Sequence, residues 1–358
     1  MSKTDWLLAA PTAATNSKAN TPIYPFLVRL TRGEDLTEQE AAEFFSALAG
    51  ENANPVQIAG ALVALAAKGE TSAELAGMAR VMREKSIAVK SRTKNFIDTA
   101  GTGSSRSKTF NVSTAAAFVI AGAGLSVAKH GNRAVTSRTG SADVLEKLGV
   151  KISTEPQTAE KCLNGAGICF LFAPKFHPAL RRIGDVRRNL GVRTSLNLLG
   201  PLSNPANAPR QIIGVWHRSL VKPMAEALAL LGTECAWVVH GSDGLDEMTL
   251  AGETHVAEVS KNDVNTFSIE PESFGVKRGD IKHLQVKTPD ESASIVREVL
   301  ASKRRDEARS LVVLNAAAAL FVGGVTKDTM YAARLAEQSI DSGQAQNKLD
   351  RLIQATNK

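Results

Sequence analysis

From Thr21 to about Lys90, apolar residues recur every three to four positions, the spacing of helices with one buried face. Polar residues mark where these helices begin. Thr37 and Glu40 have the capping-box spacing ahead of Phe44, Phe45 and Leu48, and Thr71 and Glu74 repeat it ahead of Leu75, Met78 and Val81. Asn54-Pro55 supplies an N-cap and a first-turn proline before Ile58, Leu62 and Leu65. The pattern predicts an all-helical domain of about four helices over residues 21–94, with no obvious chemistry of its own.

From Asn95 the texture changes. Short β-branched or apolar runs at 96–98, 125–128, 168–172, 212–215 and 236–239 alternate with helical stretches at 114–123, 141–148 and 223–231. Strands separated by helices predict an α/β domain over 95–358, with a central, mainly parallel sheet flanked by helices and ligands at the carboxyl ends of its strands. The chain turns helical again from Asp290, with Lys303-Arg304-Arg305 read as a solvated helix face. Residues 1–20 read as a disordered lead-in, and Pro11 breaks their short apolar stretch, against a secretory signal. The longest apolar run, 115–128, falls short of the ~20 residues that span a bilayer. No membrane association is expected, and no internal repeat is visible.

Composition narrows this picture only slightly. The 358 residues are 43% hydrophobic and 22% charged, which excludes fibrous or largely disordered architectures. Lys and Arg number 43 against 36 Asp and Glu, and the resulting +7 suits an anionic ligand, nucleic acid, or nothing in particular. Cys162, Cys169 and Cys235 cannot all pair and lack CxxC spacing, so they read as reduced thiols of a cytoplasmic protein.

Chemistry concentrates in four stretches. In residues 98–114 a strand ends near Asp98, Gly101 and Gly103 permit a tight turn, and Asn111 and Val112 open a helix. Glycine amides beside a helix N-terminus make an anion site. Thr102, Ser104, Ser105, Thr109, Ser113 and Thr114 add hydroxyls, and Arg106 and Lys108 add charge. The loop is neither a Walker A motif nor a full GxGxxG fingerprint. Phosphate binding reads ahead of an ordinary strand-to-helix turn.

In the second stretch, Lys129, His130, Gly131, Asn132 and Arg133 crowd a loop directly after a strand, followed by Ser137 and Ser141. A lysine there suits a phosphate and the amide and imidazole suit a planar substrate; a solvated loop remains the alternative. Third, Asp246-Glu247 after a strand are suitable Mg²⁺ ligands, though such pairs are often merely solvated. Fourth, His177 precedes an arginine-rich segment in which Arg187 reads either as a carboxylate clamp or, more simply, as part of a basic surface helix.

These residues resemble the anthranilate phosphoribosyltransferase family of tryptophan biosynthesis. The resemblance runs from about residue 23 to about 345. It rests on Gly-Thr-Gly at 101–103, Asn-Val-Ser-Thr at 111–114, Lys-His-Gly-Asn-Arg at 129–133 and Gly-Ser-Ala-Asp at 140–143. Val-Arg-Arg at 186–188, the run at 197–205 and Gly-Leu-Asp-Glu at 244–247 complete it, in the family's order. It implies a small helical domain, joined by returning helices near 178–200, on a larger α/β domain, and a homodimer formed through the helical domain. The implied substrates are phosphoribosyl pyrophosphate and anthranilate, with Mg²⁺.

Carried onto this chain, the family's donor site falls on Gly101, Thr109, Asn111, Ser113, Thr114, Lys129 and Ser141, and its metal on Ser113, Asp246 and Glu247. Anthranilate would meet Gly101, Asn132 and Arg187, with His130 and His177 along its approach. Lys129, Asp246 and Glu247 would carry the catalytic electrostatics, and the surrounding motif positions Thr102, Gly103, Val112, Gly131, Arg133 and Ser137 join the substrate site. One position pair departs: the family's Gly-Asp after Gly-Thr-Gly is Ser104-Ser105 here. A nucleoside phosphorylase and a non-catalytic nucleic-acid-binding relative are the rival readings. The first is disfavoured by residues 129–133 and the acidic pair, and the second by retention of the substrate residues.

Overall fold

The computed structural model describes residues 21–103, 105, 107, 109–134 and 139–358. Four helices come first: α1 (Tyr24–Thr31), α2 (Glu38–Leu48), α3 (Pro55–Lys68) and α4 (Ser72–Glu84). Thr37 with Glu40 and Thr71 with Glu74 form reciprocal capping boxes, and the Asn54 side chain accepts from Val56 N, so polar residues set three of the four starts. The buried Glu74 carboxylate also accepts from Leu36 N and Lys68 Nζ, each at 2.9 Å, fastening α2, α3 and α4 together.

A seven-stranded sheet follows. Its strands are β1 (Phe96–Asp98), β2 (Ser126–Gly131), β3 (Ile168–Phe172), β4 (Arg210–Gly214), β5 (Cys235–Gly241), β6 (Thr254–Ser260) and β7 (Asp263–Ile269), in the order β3-β2-β1-β4-β5-β6-β7. The first five are parallel and the last two antiparallel. Helices α5 (Val112–Gly122), α6 (Ser141–Lys147), α7 (Arg181–Leu190), α8 (Leu196–Leu202) and α9 (Val221–Leu230) connect them, and α10 (Pro289–Leu300), α11 (Glu307–Val322), α12 (Thr329–Asp341) and α13 (Gln344–Thr356) close the chain.

The strand pleat divides the interior into two cores. Ile212, Trp237 and Val239 face the core of α5 and α11 to α13. Ile213, Ala236 and Val238 face the other core, which is continuous with Phe44, Leu62, Leu199 and Leu228 from the N-terminal helices, α8 and α9. Both faces are thus covered, as a parallel sheet requires. Helix α7 packs on α3 and α8 on α4. Strand order reverses between β1 and β4, so the crevice at their carboxyl ends is the natural ligand site.

Three expectations change. Lys129, His130 and Gly131 belong to β2, paired in register with Phe170, Leu171 and Phe172, because the strand continues beyond the apolar run that signals it. Strands β6 and β7 were not visible in the pattern; β7 has almost no buried side chain and so no apolar alternation to read. Lys303, Arg304 and Arg305 lie in the connection between α10 and α11 and not on a helix, with Arg304 paired to Glu298 and Asp306 and Arg305 to Asp341. The lead-in, Ser104, Arg106, Lys108 and Ser137 lie outside the described residues.

Candidate active site

A cavity of about 690 Å³ opens at the carboxyl ends of the central strands. Its floor is the turn after β1. Thr102 N and Oγ1 donate to the carbonyl of Gly214, the last residue of β4, at 2.8 and 3.1 Å, stitching the glycine turn across the switch point. Gly103 takes φ +65°, which only a glycine adopts without strain. From there the chain enters α5. Ser292 Oγ accepts from Asn111 N and donates to Asn111 Oδ1, both at 2.9 Å, which fixes the residue before the helix.

Lys129 stands against this turn, only 4% exposed. Its Nζ donates to Thr99 O and Thr99 Oγ1 at 3.2 Å and to Ser113 Oγ at 3.3 Å. Burial pulls its pKa down, opposed by the nearby charges of Asp98 and Glu247. At the same Ser113, Glu247 Oε1 accepts from the backbone N at 3.2 Å. Burial raises the pKa of both Asp246 and Glu247; for Glu247 the neighbouring Asp246 charge adds to it, and for Asp246 the Ser105 hydroxyl works against it. Ser105 Oγ itself donates to Ser107 O at 2.7 Å. Among the described residues no cluster of three or more His, Cys, Asp and Glu side chains is arranged for a metal. The two buried carboxylates, with Ser113 beside Glu247, are a donor set that fits a cation whose remaining ligands come from substrate oxygens and water, the habit of Mg²⁺.

The far end of the cavity is built differently. His130 and His177 lie with ring centroids 5.1 Å apart, and burial drives their pKa values down to about 3 and about 4, so both are neutral at pH 7. His130 Nδ1 meets Gly200 O at 2.9 Å; Nδ1 therefore carries the proton, and the buried Nε2 is left as an unpartnered acceptor. Arg187 shares this wall, its Nε buried without a hydrogen-bond partner. With the two imidazoles neutral, Arg187, its Nε buried and unpartnered, offers a cation to an anionic group there.

Most of the sequence-predicted residues meet at this cavity. Gly101, Thr102, Gly103, Ser105, Thr109, Asn111, Ser113, Lys129, His130, Gly131, Asn132, Arg133, Ser141, His177, Arg187, Asp246 and Glu247 all line it. Val112 and Thr114 do not: both are buried in α5 against the core side. Arg133 lines the rim with its guanidinium committed to Asp143 and Glu146, and Ser141 Oγ donates to Asn132 O.

Sequence reasoning missed the wall contributed by the helical side, where Met82, Leu180, Leu196 and Pro201 supply apolar surface. It also missed how α8 is anchored. Three successive carbonyls near its end accept from three different elements: Gly200 from His130 on β2, Pro201 from Gln211 on β4 at 2.9 Å, and Leu202 from the half-buried Arg83 on α4 at 2.7 Å. The local signal was weak: these carbonyls lie in the last turn of the helix, where they have no partner within it.

Comparison with known proteins agrees with this layout. Residues 24–86 match the family model described as glycosyl transferase family, helical bundle domain, and residues 93–346 the one described as glycosyl transferase family, a/b domain. The anthranilate phosphoribosyltransferase of Desulfosudis oleivorans is 46% identical over 330 residues, 92% of this chain and 97% of the relative. That of Anaeromyxobacter sp. strain K is 48% identical over the same length and coverage. The crystal structure of the Thermus thermophilus enzyme aligns with a TM-score of 0.87 at 40% identity, covering 93% of this chain and 99% of that one. The Saccharomyces cerevisiae enzyme in complex with PRPP and Mg aligns at 0.83 and 27% identity, covering 93% and 98%. By sequence along nearly its whole length and by fold, this chain belongs to the anthranilate phosphoribosyltransferase family.

Proposed function

We propose that this protein transfers the 5-phosphoribosyl group of 5-phosphoribosyl 1-pyrophosphate to the amine of anthranilate, giving N-(5-phosphoribosyl)anthranilate and pyrophosphate. The observation that carries this reading is a single cavity with two unlike ends. One end joins glycine-turn amides, a helix N-terminus and Lys129 to an acidic pair; the other sets Arg187 beside two neutral imidazoles and apolar side chains. A polyphosphate suits the first, and a flat aromatic carboxylate the second. Relatives from yeast solved in complex with PRPP and Mg, and with 4-fluoroanthranilate, support the same pairing of ligands.

In the reaction the C1–O bond to pyrophosphate breaks and a C1–N bond forms, the amine losing its proton to solvent. An aryl amine is neutral at pH 7, so no side chain is required as general base. The turn at Gly101 to Gly103 with Thr109, Asn111, Ser113 and Ser141 holds the donor, and Lys129 stabilises the charge that develops on departing pyrophosphate. Arg187 holds the anthranilate carboxylate while Asn132 orients the ring, which supplies proximity. Asp246, Glu247 and Ser113 would hold Mg²⁺: two carboxylates that burial keeps from ionising easily are relieved by a divalent cation. Bound there, the ion would supply further neutralisation of pyrophosphate charge.

Residues 21–94 with the returning helices α7 and α8 form the helical unit in this reading, and the protein is a cytoplasmic homodimer joined through it. Exposed Val56 and Val63 on α3 are consistent with a covered helical face, and three free cysteines, two of them buried, with a reducing compartment. No described helix is long and apolar enough to cross a membrane.

The test is an assay with anthranilate, phosphoribosyl pyrophosphate and Mg²⁺ that follows the loss of anthranilate fluorescence. Well-folded protein should turn over, and Arg187→Ala should raise the anthranilate KM by about tenfold or more, the value of a charged hydrogen bond, with a smaller change in the donor KM. No turnover defeats the reading; unchanged anthranilate kinetics in the variant defeats the clamp.

A further inference from the structure

Asp98, the last residue of β1, is fully buried and does not line the cavity, yet three parts of the site hang on its carboxylate. Oδ1 accepts from Ala100 N at 3.0 Å, at the entrance to the glycine turn, and from His130 N at 3.1 Å, between Lys129 and Gly131 on β2. Oδ2 accepts from Asn204 Nδ2 at 2.7 Å. Asn204 cannot be turned over without loss, because Nδ2 also donates to Ala128 O and Oδ1 accepts from Ala206 N, both at 2.8 Å. Asn204 follows α8, whose Gly200 carbonyl holds the ring of His130. His130 is therefore gripped at its backbone by Asp98 and at its ring by α8.

A buried carboxylate is an expensive way to join strands that already pair through their backbones, and well-packed apolar side chains would hold β1 and β2 at lower cost. What a carboxylate adds is direction: three donors fixed around one planar group. We infer that Asp98, oriented by Asn204, is a positioning residue that sets the donor-binding turn and the Lys129–His130 segment in register with each other, so that the two substrates meet at reacting distance. The inference rests on the transferase reading above.

The experiment is Asp98→Asn, of equal size. Its amide oxygen can still accept from Ala100 N and His130 N, but its NH₂ then faces Asn204 Nδ2, donor against donor. The bonds to the turn and to β2 survive while their orientation by Asn204 is lost; the charge of Asp98 near Lys129 goes as well, and Asn204→Ala, which keeps that charge, separates the two effects. Misplacement by about 1 Å is enough for roughly a 100-fold loss. We expect kcat to fall about 100-fold, with the dissociation constant for phosphoribosyl pyrophosphate, measured calorimetrically without anthranilate, changed by less than about threefold. A purely structural role would instead lower the folded fraction and leave kcat per folded site unchanged.

A folded Asp98→Asn protein with parental kcat per active site overturns the inference, as does a loss confined to the two KM values. Asn204→Ala is measured alongside, and stands alone if Asp98→Asn does not fold: the carboxylate charge and both bonds to Oδ1 remain and the group orienting Oδ2 is gone. A kcat reduced by about tenfold supports the inference and an unchanged kcat overturns it. A parental protein without turnover would defeat the transferase reading and is separable from either result.

Discussion

Gly214 offers the sharpest test of how the site is assembled. A methyl group at its Cα would lie 1.6 Å from the carbonyl oxygen of Asp246 and 2.4 Å from its carbon. Neither neighbour is a side-chain tip that can swing aside. Gly214 is held in β4 by its register with Val239, and its own carbonyl accepts both bonds from Thr102. Relief of the clash to a normal contact near ~3.2 Å means moving the Asp246-Glu247 backbone by roughly 1.5 Å, and such displacement of a reacting group costs about 100-fold or more in rate. Overpacking should also remove about 1–3 kcal/mol of stability, a drop of several degrees in Tm. Gly214→Ala should therefore lose at least about 100-fold in kcat/KM in the anthranilate fluorescence assay. Gly184→Ala, on the same cavity wall but with nothing within 4 Å of the added atom, should lose far less. Parental kcat/KM and Tm in Gly214→Ala would refute the argument that a bare backbone at this position seats the acidic pair.

Two further outcomes follow from the electrostatics. Asp246→Ala combined with Glu247→Ala should abolish most metal-dependent turnover and flatten the Mg²⁺ titration of rate; a parental Mg²⁺ response would remove the pair from the metal site. His177 is held neutral with its pKa depressed from 6.5 to about 4, so the unfolded chain binds its proton first as pH falls. Its neutral burial thus favours folding above pH 6.5, and that contribution is lost between about pH 6.5 and 4, by about 3 kcal/mol at most. Denaturant unfolding across this range should show a slope that His177→Gln reduces, and an identical slope in both proteins would contradict the assignment.

The helical half was legible because its signals are local. A capping box spans four residues, and Thr37, Asn54 and Thr71 each act where their spacing places them. The core strands were legible from their apolar runs, but β7, exposed along most of its length, offered nothing to read. The family resemblance joined the acidic pair to Lys129, Asn132 and the glycine turn, where spacing alone fixed little. Spacing could not weigh Arg187, because an arginine on an amphipathic helix can face water as readily as a cavity, and only the packing of Ile183 and Val186 decides the matter. Asp98 and Asn204 stayed hidden for a related reason: they are 106 positions apart, and neither belongs to a spacing rule. Gly214 was silent too, since its importance lies in a contact with Asp246 that no local pattern encodes.

The anchoring of α8 bears on how the cavity can move. Its last carbonyls are bound to β2, β4 and α4, so this short helix is a fixed post shared by the sheet and the N-terminal helices. Bending at that post would strip the half-buried Arg83 guanidinium of its bond to Leu202 O, a charged donor that desolvation already pushes to a pKa of about 10. Any motion of the sheet relative to the N-terminal helices would therefore have to pivot around α8 and not bend through it. The Gly200 carbonyl on the same post holds the ring of His130, so the orientation of that imidazole is set by the joint between the sheet and the N-terminal helices.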